Sequence, residues 1–389
     1  MTEEIVRIAA RGDGVTSSGR HVPFGVPGDA VLDDGALVFG PHHQEPPCRH
    51  FPECGGCQLQ HVDDEAYRAY LVSRVAGALA QHGIETPIRA PYLSPPNSRR
   101  RAALKALRVG DSVMLGFNAE MSHRIINMRE CYVIRPELFE LVDPLRDLLT
   151  NMLHPKRVAE VQLSLVDFGP DVLIKGIPAG RLSEIELLTS FAMDHGLARL
   201  SIDRGLGPEA LYEPQPATIS LSGKRVDFPP GAFLQATADG EAALVEAVQE
   251  GIQGSTSTAD LFAGLGTFAL ASRAAYAAEA SRDAAAALKR AAPAMAVEHR
   301  DLYRNPLDRG ELKRFDAVVL DPPRAGAAEQ IAAIATSKVA RVAYVSCNPA
   351  TFARDARALL DGGYSLDWVQ PVGQFRWSTR VELAAAFNR

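Results

Sequence analysis

From about residue 228 onward the chain alternates short apolar runs with Ala/Leu-rich helical stretches, and nothing else in it constrains the fold as strongly. Seven runs have strand character: 258–262, 276–279, 294–298, 315–320, 341–346, 365–370 and 381–387. Strands joined by helical crossovers form a mostly parallel, doubly wound sheet, whose ligands sit at the carboxyl ends of the strands. One such end is distinctive. The fifth run stops at Ser346-Cys347-Asn348-Pro349, and a helical pattern follows over 350–360. Asn348 suits an N-cap, and Pro349 suits a first helical turn that needs no backbone donor. The Cys347 thiol therefore falls at a strand-to-helix elbow near the positive end of a helix, a location that favours the thiolate. A lone cysteine is more commonly a buried structural residue, but the neighbouring strand ends also carry chemistry.

The first strand runs into Asp260-Leu-Phe262-Ala-Gly264-Leu-Gly266-Thr267, where two glycines let the backbone approach a ligand closely. The third glycine of a dinucleotide fingerprint is missing. Strand two ends in Glu279, an acid placed for two ribose hydroxyls, and strand three is followed by Asp301, placed for an adenine edge. Each alone reads as a solvated loop acid. In this order they resemble the S-adenosylmethionine site of a Rossmann-like methyltransferase. Strand four ends in Asp321-Pro322-Pro323-Arg324, a loop stiffened by its prolines. Amino-directed methyltransferases carry an aromatic where Arg324 stands, which argues against N-methylation. The last strand opens with Glu382. A thiolate, a carboxylate and a methyl donor suggest methylation at C5 of a pyrimidine: Cys347 adds to C6, and Glu382 removes the C5 proton.

Ahead of this half, residues 1–45 alternate β-prone pieces with Gly/Asp turns, as in a small OB-type barrel or, alternatively, an irregular arm. Residues 46–230 read as a central α+β domain, and 231–389 as the catalytic one. Cys48, Cys54 and Cys57 cluster in sequence, and Cys131 can join them. Four thiolates suit an iron–sulfur cluster or a structural zinc, and a three-plus-one spacing leans towards iron–sulfur. The amphipathic pattern of Tyr67, Leu71, Val75 and Leu79 predicts a core helix over 65–82. Residues 97–130 carry seven basic side chains against three acidic ones and read as a hairpin with a phosphate-contacting face, or simply a solvated basic one. Helix over 136–153, paired strands over 158–165 and 171–177, and helix over 183–196 complete this region.

The net charge of −6 excludes a generic polyanion binder, so nucleic acid must meet a local patch. No apolar run is long enough to span a bilayer, and the start lacks a signal-peptide pattern, so a cytoplasmic address without membrane contact is expected. A monomer is the default.

Gln235, the Phe262-x-Gly264-x-Gly266 loop, Asp321-Pro-x-Arg324, Ser346-Cys347-Asn348-Pro349 and the late Glu382 together resemble the RNA uracil-C5 methyltransferase family, over nearly the whole chain. The resemblance implies an α/β fold: a Rossmann-like class I methyltransferase domain with a seven-stranded sheet, a central α+β domain and a small N-terminal OB-like module of TRAM type. It implies Cys347 as nucleophile and Glu382 as base. Gln235, Phe262, Thr267, Glu279, Asp301 and Asp321 would line the S-adenosylmethionine and uracil pocket. Cys48, Cys54, Cys57 and Cys131 look like the ligands of the branch that carries a [4Fe-4S] cluster and methylates 23S ribosomal RNA. The same chemistry on a tRNA T-loop uridine is the nearest rival, and a non-catalytic RNA-binding assembly factor the rival of another class. Thr267 replaces the family's usual Asn, Asp301 stands where Asn is common, and Arg376 and Arg380 depart from the pattern before the base.

Overall fold

The computed structural model describes residues 2–389. Five short strands open the chain: β1 (Glu3–Ile8), β2 (Gly14–Thr16), β3 (His21–Val22), β4 (Ala30–Val31) and β5 (Leu37–Val38). They form one antiparallel sheet in the order β3-β2-β1-β4-β5 around Ile5, Val22 and Val31. So small a core needs polar support, and the buried Asp29 supplies it. Its carboxylate accepts from the amides of Val26 (2.9 Å) and Gly40 (2.7 Å).

Helix α1 (Asp64–Ala80) starts where Asp63 caps the Ala66 amide, and it buries Tyr67, Leu71, Val75 and Leu79, the stripe its periodicity predicts. Strand β6 (Tyr92–Leu93) follows. The basic region folds as the expected hairpin, β7 (Arg101–Val109) and β8 (Ser112–Gly116). The helix expected over 136–153 is instead two, α2 (Pro136–Phe139) and α3 (Val142–Met152). Pro144 has no N–H to offer the carbonyl of Glu140, so a continuous helix would lose a bond there. Next come β9 (Val158–Val166), β10 (Gly169–Lys175), α4 (Leu182–Asp194), β11 (Arg199–Asp203) and β12 (Pro208–Tyr212). The central sheet has the order β12-β11-β10-β9-β7-β8. Strands β11 and β12 were not foreseen.

A hairpin of β13 (Thr218–Leu221) and β14 (Lys224–Asp227) leads to α5 (Ala238–Gly251). Then β15 (Thr258–Leu261), α6 (Thr267–Ala271), β16 (Tyr276–Glu279), α7 (Arg282–Ala291), β17 (Ala296–His299) and α8 (Arg309–Leu312) alternate. The chain ends with β18 (Ala317–Leu320), α9 (Ala328–Ala335), β19 (Arg341–Ser346), α10 (Pro349–Asp361), β20 (Ser365–Gly373) and β21 (Glu382–Asn388). All seven strands expected after residue 228 share one sheet, and β6 adds an eighth, in the order β17-β16-β15-β18-β19-β21-β20-β6. β21 runs antiparallel to both neighbours, while β15 to β19 are parallel.

The early segment 64–93 packs on this late sheet. Tyr67, Leu71 and Val75 share a core with Phe352, Val369 and Phe387. The Tyr67 hydroxyl lies 3.1 Å from the carbonyl of Phe375 and 3.0 Å from that of Ser378, tying α1 to the loop before β21. Among the described residues no helix is long and apolar enough to cross a membrane.

Candidate active site

Register brings together the expected nucleophile and the expected base. In the antiparallel pairing of β19 with β21, Ser346 faces Leu383, so Cys347 and Glu382 occupy the next position on each strand. Leu320 of β18 lies beside Tyr344 of β19, which brings Asp321 to the same sheet edge. The elbow forms as its sequence dictates. Asn348 caps α10 by accepting from the Ala350 amide (3.2 Å), with Pro349 in the first turn. The Asn348 side-chain amide and the Thr351 hydroxyl both donate to the carbonyl of Arg324, at 3.0 and 3.2 Å, so the Asp-Pro-Pro-Arg loop is latched to the elbow.

The thiol does not behave as a helix terminus alone would make it. Burial pushes Cys347 up to about 11, and the carboxylates of Glu382 and Asp321 add to the rise, against a smaller pull from Arg324. Desolvation and two nearby acids outweigh the helix dipole, whose effect is confined to the first turn.

Glu382 is buried, and burial pushes its carboxyl up to about 8, with Asp321 contributing next. Asp321 keeps part of its surface open, yet burial raises it to about 7, while a hydrogen bond from Gln235 pulls it down. Two amides lie between the acids. The Gln374 side chain opposes the rise of Glu382 and donates to Gln235 Oε1 (2.8 Å), and Gln235 Nε2 donates to Asp321 Oδ2 (3.1 Å). Gln374 Oε1 accepts from the Ala236 amide (2.8 Å), which fixes the orientation of both amides. Gln374 was not among the expected site residues. Its burial beside Gln235 is a long-range fact that local pattern does not encode.

A second group lies at the ends of β15 and β16. Phe262 has a positive φ of 65° and packs its ring on Tyr303 at 5.6 Å between centroids. The two glycines have different reasons. A Cβ on Gly264 would meet nothing within 4 Å, so the loop faces open space there. A Cβ on Gly266 would stand 2.4 Å from Leu288, so that glycine serves the packing of α7. Glu279 accepts from the amides of Gly264 (2.8 Å) and Ser281 (2.6 Å) and holds the loop. Thr267 reaches Glu241 at 3.5 Å. Asp301 accepts from the Tyr303 amide at 3.0 Å. Asp260, fully buried, was not singled out by its sequence. Burial and the neighbouring Asp321 drive its carboxyl well above the usual range.

The basic run divides into distinct jobs. Arg100 is buried in an ion pair with Glu241 (2.7 Å). Arg124, Arg129 and Lys105 pair with Glu53, Asp143 and Glu160. Arg99 and Arg101 instead line a cleft of about 620 Å³ together with Arg380, Phe233 and Phe375. The Arg101 guanidinium lies 4.4 Å over the Phe233 ring and its field reaches Glu382. Arg101 therefore stands in the cleft and within electrostatic reach of Glu382.

At its other side the cleft is walled by Gly55 and Gly56 of the cysteine loop. Cys48, Cys54, Cys57 and Cys131 line a single small cavity. Burial raises every one of these thiols, Cys57 to about 12, and the charge of Cys131 adds to the rise at the other three. The half-buried Arg99 guanidinium sits beside Cys57 and Cys131 and opposes that rise. Among the described residues no three His, Cys, Asp or Glu converge tightly enough for one metal ion.

Relatives of this chain are RNA methyltransferases. The chain superposes over its full length, and over all of the other chain, on the Pyrococcus abyssi tRNA (uracil-54, C5)-methyltransferase solved with S-adenosyl-L-homocysteine, with a TM-score of 0.73 at 21% identity. It is 48% identical over 395 residues, all of both chains, to an RNA methyltransferase of Zymomonas mobilis, and 41% identical to one of Caulobacter vibrioides over 98% of each. It is 28% identical to the 23S rRNA (uracil(1939)-C(5))-methyltransferase of Photorhabdus laumondii, over 91% of this chain and 84% of that protein. The family model tRNA (Uracil-5-)-methyltransferase matches residues 294–385. The protein belongs to the RNA uracil-C5 methyltransferase family.

Proposed function

We propose that this protein methylates C5 of a uridine in 23S ribosomal RNA, using S-adenosylmethionine and a transient bond between Cys347 and C6 of the base. The observation that carries the reading is the register that sets Cys347 beside Glu382 at one sheet edge, with Asp321 across from both. The thiol first loses its proton to solvent water, and Arg324 is the cation that eases this. The sulfur then bonds C6, and the ring's π electrons move to C5 and O4 as an enolate. Asp321, with its carboxyl raised to about 7, donates to the uracil edge where that charge develops, and Gln235 holds it in place. S-adenosylmethionine, when bound, supplies the methyl group that C5 takes up. Glu382 as carboxylate removes the C5 proton, the electron pair reforms C5=C6, and the C6–S bond breaks to release the thiolate.

The methyl donor fits the residues at the ends of β15 and β16. Gly264 faces open space, Glu279 stands at the strand end beside it, and the ring of Phe262 borders the same loop. Asp301 and Thr267 are assigned to the same pocket. For the cysteines, four thiols around one cavity supply the donor set of a [4Fe-4S] cluster, and that is the reading adopted. Bound there, it would fasten the loop 48–57 to Cys131 and so set one wall of the cleft. Iron and sulfide analysis of anaerobically purified protein should give about four of each per chain. Zinc without iron would overturn the assignment.

The 23S target is favoured by the name of the Photorhabdus relative and by the cysteine quartet. The test offers labelled methyl donor with unmodified 23S rRNA and, separately, unmodified tRNA, followed by nucleoside analysis. Label as 5-methyluridine in 23S alone is expected. Label in tRNA alone would keep the chemistry and overturn the target, and none in either would overturn the enzyme reading.

A further inference from the structure

A second pocket, of about 480 Å³, opens between the N-terminal sheet and the cysteine loop, and aromatic rings dominate it: Phe24, Phe39, His43, Phe51 and His61. Two of these rings are exposed to an unusual degree, Phe39 at 66% and Phe24 at 45%. Phe24 also holds a positive φ of 60°, a conformation a bulky residue adopts at a cost. Phe39 is stiffened from behind. The His43 ring stacks on it at 3.7 Å between centroids, and His43 is in turn held by Asp29 at 2.9 Å.

His61 is the informative member. It is 2% exposed, and neither ring nitrogen has a hydrogen-bond partner among the described residues. The rings of Phe24, Phe51 and His43 surround it at 5.7, 5.3 and 5.6 Å. Burial pushes its imidazole down to about 4, so at neutral pH it is uncharged and offers one donor and one acceptor. Buried polar atoms of this kind normally have partners, and a core residue would have been cheaper as Leu or Phe. The Arg20 guanidinium stands 3.6 Å from where a Cβ on Gly35 would lie, and Gly35 lines the same pocket, so a cation is at the rim.

We infer that this pocket is a second nucleobase site, which takes an unpaired base of the substrate RNA on the open face of Phe39, with His61 meeting the base edge and Arg20 a flanking phosphate. Stacked aromatics with a polar edge reader and a nearby cation are what recognition of single-stranded RNA requires. Continuity supports RNA over a protein partner. Phe51 belongs to the same loop whose Gly55 and Gly56 wall the arginine cleft, so one strand of RNA can follow that loop from the cleft to the pocket. The inference rests on the RNA reading above and adds a recognition site apart from Cys347.

The test uses the full-length holoprotein and single-stranded RNA carrying 5-iodouridine, irradiated without methyl donor, with the cross-linked peptides read by mass spectrometry. Cross-links within residues 20–61 are expected, together with about tenfold weaker RNA binding by Phe39→Ala and near-normal binding by Phe39→Tyr. Phe39 is exposed, so its removal leaves the core intact, and kcat at saturating RNA should be unchanged. Phe39→Ala affinity within twofold of the parent, with cross-links confined to other segments, overturns the inference, including the case where that variant loses only a protein partner. A parent enzyme that binds RNA through this pocket but forms no 5-methyluridine would instead sink the methylation reading and leave the base site standing.

Discussion

Two buried glutamates lie where the sheets meet, and they are treated in opposite ways. Glu241 of α5 is raised by burial, but Arg100 answers it directly at 2.7 Å, and the charge is neutralised in place. Glu382 of β21 is also raised by burial, but its polar neighbour is the neutral Gln374, its close charged neighbour is another acid, and Arg101 acts only through its field. The first arrangement is architecture: a buried pair that locks α5 to the start of β7. The second is what the proposed base requires, because a carboxyl raised to about 8 can both hold and release a proton near neutral pH. The difference separates residues that hold the fold from residues that act, where residue type alone does not.

The largest effect should follow loss of the nucleophile. Cys347→Ala is expected to reduce methyl transfer by about 10⁴-fold or more, while RNA affinity stays within about threefold, measured by labelled transfer and filter binding. Retained transfer would remove Cys347 from its role. Glu382→Gln comes next, with kcat lowered by about 10²- to 10⁴-fold. Because the bond to C6 still forms but its release is blocked, a protein–RNA adduct should accumulate on denaturing gels. Loss of activity without adduct would place Glu382 before the addition step.

Arg100→Met should act on stability. Leaving Glu241 buried and unanswered is expected to cost about 3–5 kcal/mol in urea unfolding. A loss below 1 kcal/mol would erase the contrast drawn between the two glutamates. Glu382→Gln should go the other way. The folded pKa of Glu382, about 8, lies above its ordinary 4.5, so the folded state holds this proton more tightly than the unfolded chain. That contribution is complete below about pH 4.5 and is lost as pH rises through about 8. The melting temperature of Glu382→Gln relative to the parent should therefore climb by about 3 °C or more between pH 6 and pH 9. With Glu382 needed as a carboxylate and Asp321 needed protonated, kcat/KM of the parent should be bell-shaped, with its maximum between about pH 7 and pH 8. A profile flat from pH 6 to 8 would contradict the assignment.

Much of this was legible in the sequence where local rules decide. The elbow at Asn348-Pro349, the stripe of α1 and the hairpin around Gly110-Asp111 follow from caps, period and turns, and they stand as read. Strands β11, β12, β13 and β14 are not legible because each is only four or five residues long and supported by its neighbours. That β6 would extend the late sheet is a contact across hundreds of residues, invisible to any window. The site splits the same way. That Cys347, Glu382 and Asp321 come to one end of the sheet is legible because each ends or opens a recognisable strand. Gln374 as the amide between the acids was not, nor was the splitting of the arginines into pairs and cleft walls. The thiol's environment also reverses a local expectation, because burial, with two acids remote in sequence adding to it, outweighs one helix end.

The most direct measurement replaces every uridine of a 23S transcript with 5-fluorouridine and adds the protein with methyl donor. Fluorine at C5 cannot leave as a proton, so Glu382 has nothing to remove and the adduct should persist. The account predicts a covalent complex stable to denaturation, with the RNA fragment on the peptide that carries Cys347. Methylation of ordinary 23S RNA without any such complex, or with the fragment on another residue, would contradict it.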